Sequence, residues 1–196
     1  IYISTDHLFS GKNKMLNEDS KKEPINYYAK TKDMAEQFIA NFSKSFLIIR
    51  TNFYGWGTSY RESFSDKIIK NLRNKKKIDL FNDVFFTPIL MKELFQKVNN
   101  LILKDKKGIY NIVGNERISK YNFGMMIANI FSLDNNLIEP ISIDSISNLT
   151  PRPYDMSLSN HKYCTEFNNT FLSLEDSLKY LKKIENEKIT KEILCL

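Results

Sequence analysis

The chain has 196 residues, of which 42% are hydrophobic and 13% aromatic, so it is long enough to bury one sizeable hydrophobic core. Its apolar runs fall far short of the roughly 20 residues that a membrane-spanning helix requires, which argues against a transmembrane segment. The net charge of +6 favours anionic partners, but no zinc spacing, helix-turn-helix pattern or aromatic RNA-binding motif accompanies it, so nucleic-acid binding is not expected.

Strand-like and helical patterns alternate along the chain. In chain order the sequence predicts a strand over 2–4, a polar loop to about residue 25, a helix over 26–42, a strand over 46–50, a helix over 64–72, extended pieces over 78–80 and 84–86, a helix over 90–103, a strand over 109–113, a helix over 120–131, a strand over 138–143 and a helix over 174–184. Asn26 and Ser119 are suitable N-caps for the helices that follow them. The alternation predicts an α/β fold with parallel strand pairing.

A tyrosine and a lysine on the first predicted helix form a candidate catalytic pair. Tyr28 and Lys32 stand four residues apart, so their side chains lie above one another on the same face. Ala35 and Ile39 continue this stripe and place Lys32 on or near the inward face. The apolar side chains expected beside the stripe are Met34, Phe38 and Phe42.

A half-buried lysine next to a phenol has a chemical use. Its positive charge stabilises the phenolate, lowers the pKa of the tyrosine and equips that residue for proton transfer. The spacing by itself more often marks a packed tyrosine beside a lysine that extends to solvent, because it is common on helices.

The end of the first predicted strand supplies a hydroxyl group. Thr5 lies there, and open parallel sheets place their ligand crevice at the carboxyl ends of the strands. The Thr5 hydroxyl can hydrogen-bond a carbonyl oxygen of a ligand, although Thr5 considered alone would be a turn residue.

Several segments together resemble the dTDP-4-dehydrorhamnose reductases of the extended short-chain dehydrogenase/reductase superfamily. ISTDHLFSG at 3–11 resembles their strand-end motif, and NYYAKTK at 26–32 resembles their Tyr-x-x-x-Lys helix. Further matches in the same order are IRTNFYG at 49–55, FTP at 86–88, GIYNI at 108–112 and PRP at 151–153. The resemblance extends to about Tyr163.

The resemblance implies a reductase of a nucleotide-linked 4-keto sugar that takes hydride from NADPH or NADH. Thr5, Tyr28 and Lys32 would be its catalytic residues, with Tyr28 as proton donor and Lys32 also holding the nicotinamide ribose. The implied cofactor-binding residues are Ser4, Tyr28, Lys32 and Asn52. The implied substrate-binding residues are Thr5, Asp6, His7, Phe53 and Arg152. No metal is implied, and the resemblance allows a homodimer.

The fold implied by the resemblance is the C-terminal part of a Rossmann-like doubly wound parallel sheet plus a small α/β substrate-binding lobe. Residues 1–55, with 90–113 returning to them, would form the second half of the NAD(P)-binding domain. Residues 56–89 and 114–196 would form the substrate-binding lobe. The sequence contains no glycine-rich turn of the kind that binds a pyrophosphate, so we expect the front half of the cofactor domain to be missing.

Two alternatives to a reductase remain open at this point. An epimerase or dehydratase of the same superfamily would share the Thr5, Tyr28 and Lys32 triad. A non-catalytic binding or regulatory subunit would retain the fold without the activity. His7 stands where many relatives carry a tyrosine, so the sugar is left open as well.

The cysteine content bears on the cellular compartment. Cys164 and Cys195 are the only two cysteines in the sequence, which is too few for a disulfide framework. This usage favours a protein of the reducing cytoplasm.

Overall fold

The computed structural model describes residues 1–58 and 60–187, and within them helices and strands alternate. The α-helices are Tyr27–Phe42 (α1), Phe64–Arg73 (α2), Met91–Leu103 (α3), Lys120–Phe131 (α4), His161–Phe167 (α5) and Leu174–Ile184 (α6). The strands are Tyr2–Ile3 (β1), Leu47–Arg50 (β2), Phe53–Tyr54 (β3), Ile78–Phe81 (β4), Phe85–Phe86 (β5), Ile89–Leu90 (β6), Gly108–Asn111 (β7), Ile118–Ser119 (β8) and Ile138–Ile141 (β9). No helix among these residues is long and apolar enough to cross a bilayer.

A three-stranded parallel sheet in the order β1-β2-β7 organises the first part of the molecule. Ile49 of β2 pairs with Ile3 on one side and with Tyr110 on the other. Because the three strands run the same way, their carboxyl ends share one edge of the sheet. The segments that follow β1 and β2 therefore meet at this edge.

Three two-stranded sheets complete the strand pairing. The β3–β6 and β4–β9 pairs are parallel, as the alternation of elements predicts. The β5–β8 pair is antiparallel, with Phe85 opposite Ser119, and is an exception to the parallel pairing of the other sheets. Alternation of long elements specifies the direction of the long strands, but it does not determine how two-residue strands pair.

The two larger of three hydrophobic clusters among the described residues hold these layers together. The larger one joins α2, α4 and α6 to β4 and β9, and Phe123 of α4 lies at its centre with its ring stacked on that of Phe64 at 5.9 Å between centroids. The second core packs α3 and α5 against β2 and β7, and it includes the fully buried Tyr163. Helix α5 is absent from the sequence-based prediction because its seven residues are too few to display a clear helical period.

A buried ion pair fixes α1 on the sheet. Glu36 of α1 and Arg50 of β2 are each only 1% exposed, and Arg50 Nε and Nη2 donate to the Glu36 carboxylate at 3.0 and 2.8 Å. Arg50 Nη1 also donates to the carbonyl oxygen of Glu18 at 2.9 Å, and the Glu18 carboxylate accepts a hydrogen bond from the backbone N–H of Asn111. One guanidinium thus joins α1, β2 and the long loop before α1.

The same pair decides which face of α1 points inward. Ala29 and Glu36 are its buried residues, whereas Met34, Phe38 and Phe42 are 68%, 64% and 74% exposed. These three apolar side chains, which the sequence places beside the stripe of Tyr28 and Lys32, are therefore exposed. The buried face of the helix is the one that carries Glu36, the partner of Arg50.

Removing one partner of this pair tests its importance. We expect Arg50→Met to lower the free energy of unfolding by about 3 kcal/mol, because the buried Glu36 carboxylate would keep only Lys22 Nζ, at 3.3 Å, as a charged partner. Urea denaturation monitored by circular dichroism measures this change. The double variant Glu36→Leu/Arg50→Met should recover most of the loss, and Lys179→Ala, which breaks an exposed ion pair with Glu175, should leave the midpoint unchanged. A single Arg50→Met variant as stable as wild type would contradict the expectation.

The pKa of Glu36 gives the pair a pH dependence. Burial raises this pKa, but the hydrogen bonds and the charge of Arg50 outweigh burial and hold it below its ordinary value. A carboxylate whose pKa is depressed in the folded state contributes stability above its unfolded pKa, and that contribution is lost as the pH falls through the folded value. We therefore expect the wild type, but not the double variant, to lose this contribution below about pH 4, so that wild type becomes less stable relative to the double variant in denaturation curves.

Candidate active site

A cleft of about 490 Å³ opens at the carboxyl ends of β1 and β2. Its wall brings together most of the side chains that the sequence nominates for a site. These are Ser4, Thr5, Asp6, His7, Tyr28, Lys32, Asn52 and Phe53. Thr51 and Arg61, which sequence reasoning did not select, line it too. Arg152 is not among the lining residues.

Helix α1 presents Tyr28 and Lys32 to this cleft. Asn26 caps the helix, and its side-chain oxygen accepts a hydrogen bond from the N–H of Ala29 at 2.8 Å, as the sequence predicts. Lys32 Nζ donates to the carbonyl oxygen of Ile3 at 3.0 Å, so the lysine reaches from the helix to β1. Tyr28 is 52% exposed, and its hydroxyl has no partner among the described residues. The phenol is free to bond a ligand.

A buried carboxylate joins the ends of the two strands. Asp6 is 1% exposed and accepts a hydrogen bond from Asn52 Nδ2 at 2.6 Å. Its other oxygen accepts from the Thr5 hydroxyl at 3.3 Å, and that hydroxyl accepts from the N–H of His7. Thr5 and Asn52 are therefore held in fixed positions on the cleft wall, and the carboxylate is already engaged by protein donors.

The imidazole ring of His7 also lines the cleft, and it is neutral at pH 7. Burial lowers its pKa, the charges of Lys120 and Arg152 act in the same direction, and the charge of Asp6 opposes them. The His7 ring meets that of Tyr28 edge to face, with 5.7 Å between centroids. Its Nδ1 is buried without a partner among the described residues, and the same holds for the Thr51 hydroxyl. Buried polar atoms of this kind are expected to be satisfied by water or by a ligand.

Arg152 lies beside the cleft, in a neighbouring hollow of about 340 Å³. Two contacts hold its loop there. Asn26 Nδ2 donates to the carbonyl oxygen of Pro151 at 3.0 Å, which links the loop to the start of α1. Gly11, with φ of +85°, lies so close to the loop that an added Cβ would come within 2.6 Å of the backbone nitrogen of Tyr154. Only glycine fits this position.

Lys120 is a charged neighbour of the cleft that sequence reasoning missed. It is the first residue of α4, and its ammonium nitrogen lies over the Phe86 ring, 3.2 Å from the centroid. Burial lowers its pKa to about 8, the charge of Asp6 opposes this shift and that of Arg152 adds to it. Nothing in the local sequence marks this residue, because its neighbours in space come from distant parts of the chain.

The comparisons with known proteins agree with this geometry. A family model described as the RmlD substrate binding domain matches residues 1–185. The Bacillus subtilis spore coat polysaccharide biosynthesis protein SpsK is 30% identical over 162 residues, which are 82% of this chain and 56% of that protein. Methionine adenosyltransferase 2 subunit beta of Xenopus tropicalis is 29% identical over 171 residues, with 83% and 50% coverage. The chain thus spans about half the length of these relatives.

Solved structures show the same fold. A dTDP-4-dehydrorhamnose reductase from Bacillus anthracis, crystallised with NADP, matches with a TM-score of 0.85 at 24% identity, over 93% of this chain and 64% of that one. A protein described as a hypothetical dTDP-4-dehydrorhamnose reductase from Sulfolobus tokodaii matches with a TM-score of 0.75 at 28% identity, over 89% and 61%. These matches confirm the predicted α/β fold with a Rossmann-like parallel sheet.

The family match covers all of the residues that build the cleft, from the end of β1 to the loop that carries Arg152. It agrees with the resemblance that the strand-end and Tyr-x-x-x-Lys motifs indicate in the sequence. The chain therefore belongs to the RmlD substrate-binding-domain family, within the extended short-chain dehydrogenase/reductase superfamily.

Proposed function

We propose that the protein reduces a nucleotide-linked 4-keto sugar with hydride from NADPH or NADH. One observation carries the proposal: Tyr28, Lys32 and Thr5, which lie on two separate elements, line a single cleft at the carboxyl edge of a parallel sheet. Such an edge is where open α/β sheets bind their ligands. The family match and the relative crystallised with NADP support the same reaction class.

The residues present fit the nicotinamide-ribose end of a dinucleotide. Lys32 Nζ uses one donor on the Ile3 carbonyl oxygen, and an ammonium group has two more for ribose hydroxyls. The buried Thr51 hydroxyl, which has no partner among the described residues, lies in the same cleft as Ser4 and Asn52. When bound, the cofactor would supply the hydride that adds to the sugar carbon.

Tyr28 would complete the reduction by proton transfer. As the hydride adds to the carbonyl carbon, the phenol of Tyr28 gives its proton to the carbonyl oxygen and the ketone becomes an alcohol. The nearby charge of Lys32 would stabilise the phenolate that this step leaves behind. The Thr5 hydroxyl, whose single proton Asp6 accepts in this structure, would turn that proton to the same carbonyl oxygen when substrate binds.

The other binding roles follow from position in the cleft. We assign Asp6, His7 and Phe53 to the sugar side, and Arg152 to the far end of the substrate. Residues 1–55 with 90–113 would make the cofactor-binding part, and 56–89 with 114–196 the substrate-binding lobe. A homodimer and a cytoplasmic location stay predictions, and Cys195 lies outside the described residues.

A non-catalytic subunit is the second candidate. It is favoured by the similarity to methionine adenosyltransferase 2 subunit beta, whose name is that of a subunit. The two candidates differ in what Tyr28 does: a reductase needs its hydroxyl, whereas a binding subunit does not. An epimerase or dehydratase would instead retain tightly bound NAD through purification, and recovery of that cofactor would favour it.

Replacing the phenol tests the leading proposal. Tyr28→Phe should lower kcat for ketone reduction by about 100- to 10,000-fold, because the other hydroxyl-bearing residues of α1, Tyr27 and Thr31, do not line the cleft. NADPH oxidation is followed at 340 nm with dTDP-4-keto-6-deoxy sugars and protein made from its complete reading frame. Tyr27→Phe, which alters the adjacent exposed tyrosine, is the matched control and should retain full activity. Wild-type activity in Tyr28→Phe would refute the proposal.

Replacing the threonine tests the second hydrogen bond to the carbonyl oxygen. Thr5→Val should lower kcat on the order of 100-fold, the usual effect of losing one donor to a developing oxyanion. Thr165→Val, at an exposed site on α5, is the control and should have no effect. If Thr5→Val raised KM and left kcat unchanged, Thr5 would bind the substrate without assisting the reaction.

A further inference from the structure

Another cavity, of about 360 Å³, lies beside α2 and shares no lining residue with the cleft. We call it the α2 hollow, and its walls include Trp56, Thr58, Asp66 and Ile69. The backbone of Thr58 pairs with that of Arg61, which lines the cleft, so the turn between these two residues separates the two cavities. The volume of the hollow is within the range of about 300–1,000 Å³ that is typical of small-molecule sites.

Asp66 brings a buried carboxylate to the α2 hollow. It is 9% exposed, and its Oδ2 accepts hydrogen bonds from the backbone N–H groups of Gly57 and Ser63 at 2.7 and 2.8 Å. Its Oδ1 is buried and has no hydrogen-bond partner among the described residues. Backbone groups are thus the donors to this carboxylate within the described ranges, and no cationic side chain there neutralises it. A buried oxygen without a donor is expected to be satisfied by water or by a ligand.

The two cations that line the α2 hollow are engaged by other carboxylates. Lys70 pairs with Glu62, which also lines the hollow. Arg73 donates to both carboxylate oxygens of Glu185, at 2.5 and 2.9 Å. Because these two pairs are each neutral, the charge of Asp66 leaves the hollow with one negative charge that no side chain in the described part of the molecule balances.

Trp56 adds an aromatic ring to the same hollow. Its indole N–H donates to the carbonyl oxygen of Leu181 at 3.1 Å, and its ring and that of Phe131 meet edge to face with 6.1 Å between centroids. The N–H is therefore used by the protein, and the ring offers a ligand its π surface. Tryptophan is the side chain whose ring attracts cations most strongly. The Thr58 hydroxyl, which is also buried without a partner among the described residues, can accept a further hydrogen bond.

We propose that the α2 hollow binds a small organic cation, an alkylammonium or alkylguanidinium ion, through Trp56, Thr58 and Asp66. Such an ion would give Asp66 the charged partner that it lacks and would give the Thr58 hydroxyl oxygen an N–H donor. Its positive charge would also be attracted to the indole ring. An anion does not fit, because the carboxylate would repel it. The site is independent of the proposed reaction, since Tyr28 and Lys32 line the other cavity.

Calorimetric titration with agmatine tests the proposal on protein made from the complete reading frame. Agmatine carries an ammonium and a guanidinium group on a short alkyl chain, and 1,4-butanediol is an uncharged control of similar length. Wild type should bind agmatine but not the diol, and the Kd should rise with KCl concentration because salt screens the attraction. Asp66→Asn keeps an oxygen for the N–H groups of Gly57 and Ser63 and removes the charge. It should raise the Kd for agmatine about ten-fold or more.

A gain of affinity separates charge from a folding defect. Lys70→Met leaves Glu62 without its cation and so adds negative charge to the hollow. It should lower the Kd for agmatine roughly two- to five-fold, as expected for one exposed charge pair, whereas a damaged fold cannot tighten binding. Asp79→Asn removes an exposed carboxylate of β4 outside the hollow and is the matched control, with an unchanged Kd. Tyr28→Phe should leave agmatine binding unchanged as well.

Several outcomes would overturn the proposal. Equal Kd values for agmatine in wild type and Asp66→Asn, including no binding by either, would remove the role of Asp66. Equal affinity for agmatine and 1,4-butanediol would show that charge is not recognised. If Asp66→Asn fails to fold, Lys70→Met decides, and a Kd that is unchanged or higher in that variant rejects the site. Binding of an arginine-containing peptide but not of agmatine would assign the hollow to a protein partner and reject the small-molecule assignment.

Discussion

The buried pair of Glu36 and Arg50 is the interaction on which the rest of the site depends. Two charged groups at 1% exposure are stable only when each satisfies the other, so α1 has one orientation on the sheet. That orientation sets the direction of Tyr28, two turns earlier on the same helix. It also lets Lys32 reach the Ile3 carbonyl oxygen. The ion pair on the buried face of α1 thereby positions Tyr28 and Lys32 on the face that lines the cleft.

A second constraint operates at the edge of the sheet. Parallel strands bring the ends of β1 and β2 together, and Asp6 links them through Asn52 and Thr5. The three residues hold one another, so the position of the Thr5 side chain on the cleft wall is fixed. Only its hydroxyl proton, which Asp6 accepts in this structure, would have to turn towards a bound carbonyl oxygen.

The charged side chains in and around the cleft are mostly cationic. Asp6 is the carboxylate on its wall, and it is engaged by protein donors, whereas Lys32, Arg61 and the flanking pair of Lys120 and Arg152 are cationic. Positive charge around a concave site raises the local concentration of anionic ligands. The net charge of +6 in the sequence agrees with a preference for anionic ligands. The three-dimensional arrangement of these few groups is what concentrates positive charge around the cleft.

The sequence by itself determined the local features of this protein. The caps at Asn26 and Ser119, the bounds of α4, the four-residue spacing of Tyr28 and Lys32 and the alternation of strands and helices all depend on residues a few positions apart. Tertiary structure alone decided which face of α1 is buried and that the Lys120 ammonium group lies over the Phe86 ring. It also placed Arg152 in a hollow next to the cleft. Such features arise from ion pairs and packing between segments far apart in the chain. The spacing of hydrophobic residues within one helix or strand cannot predict them.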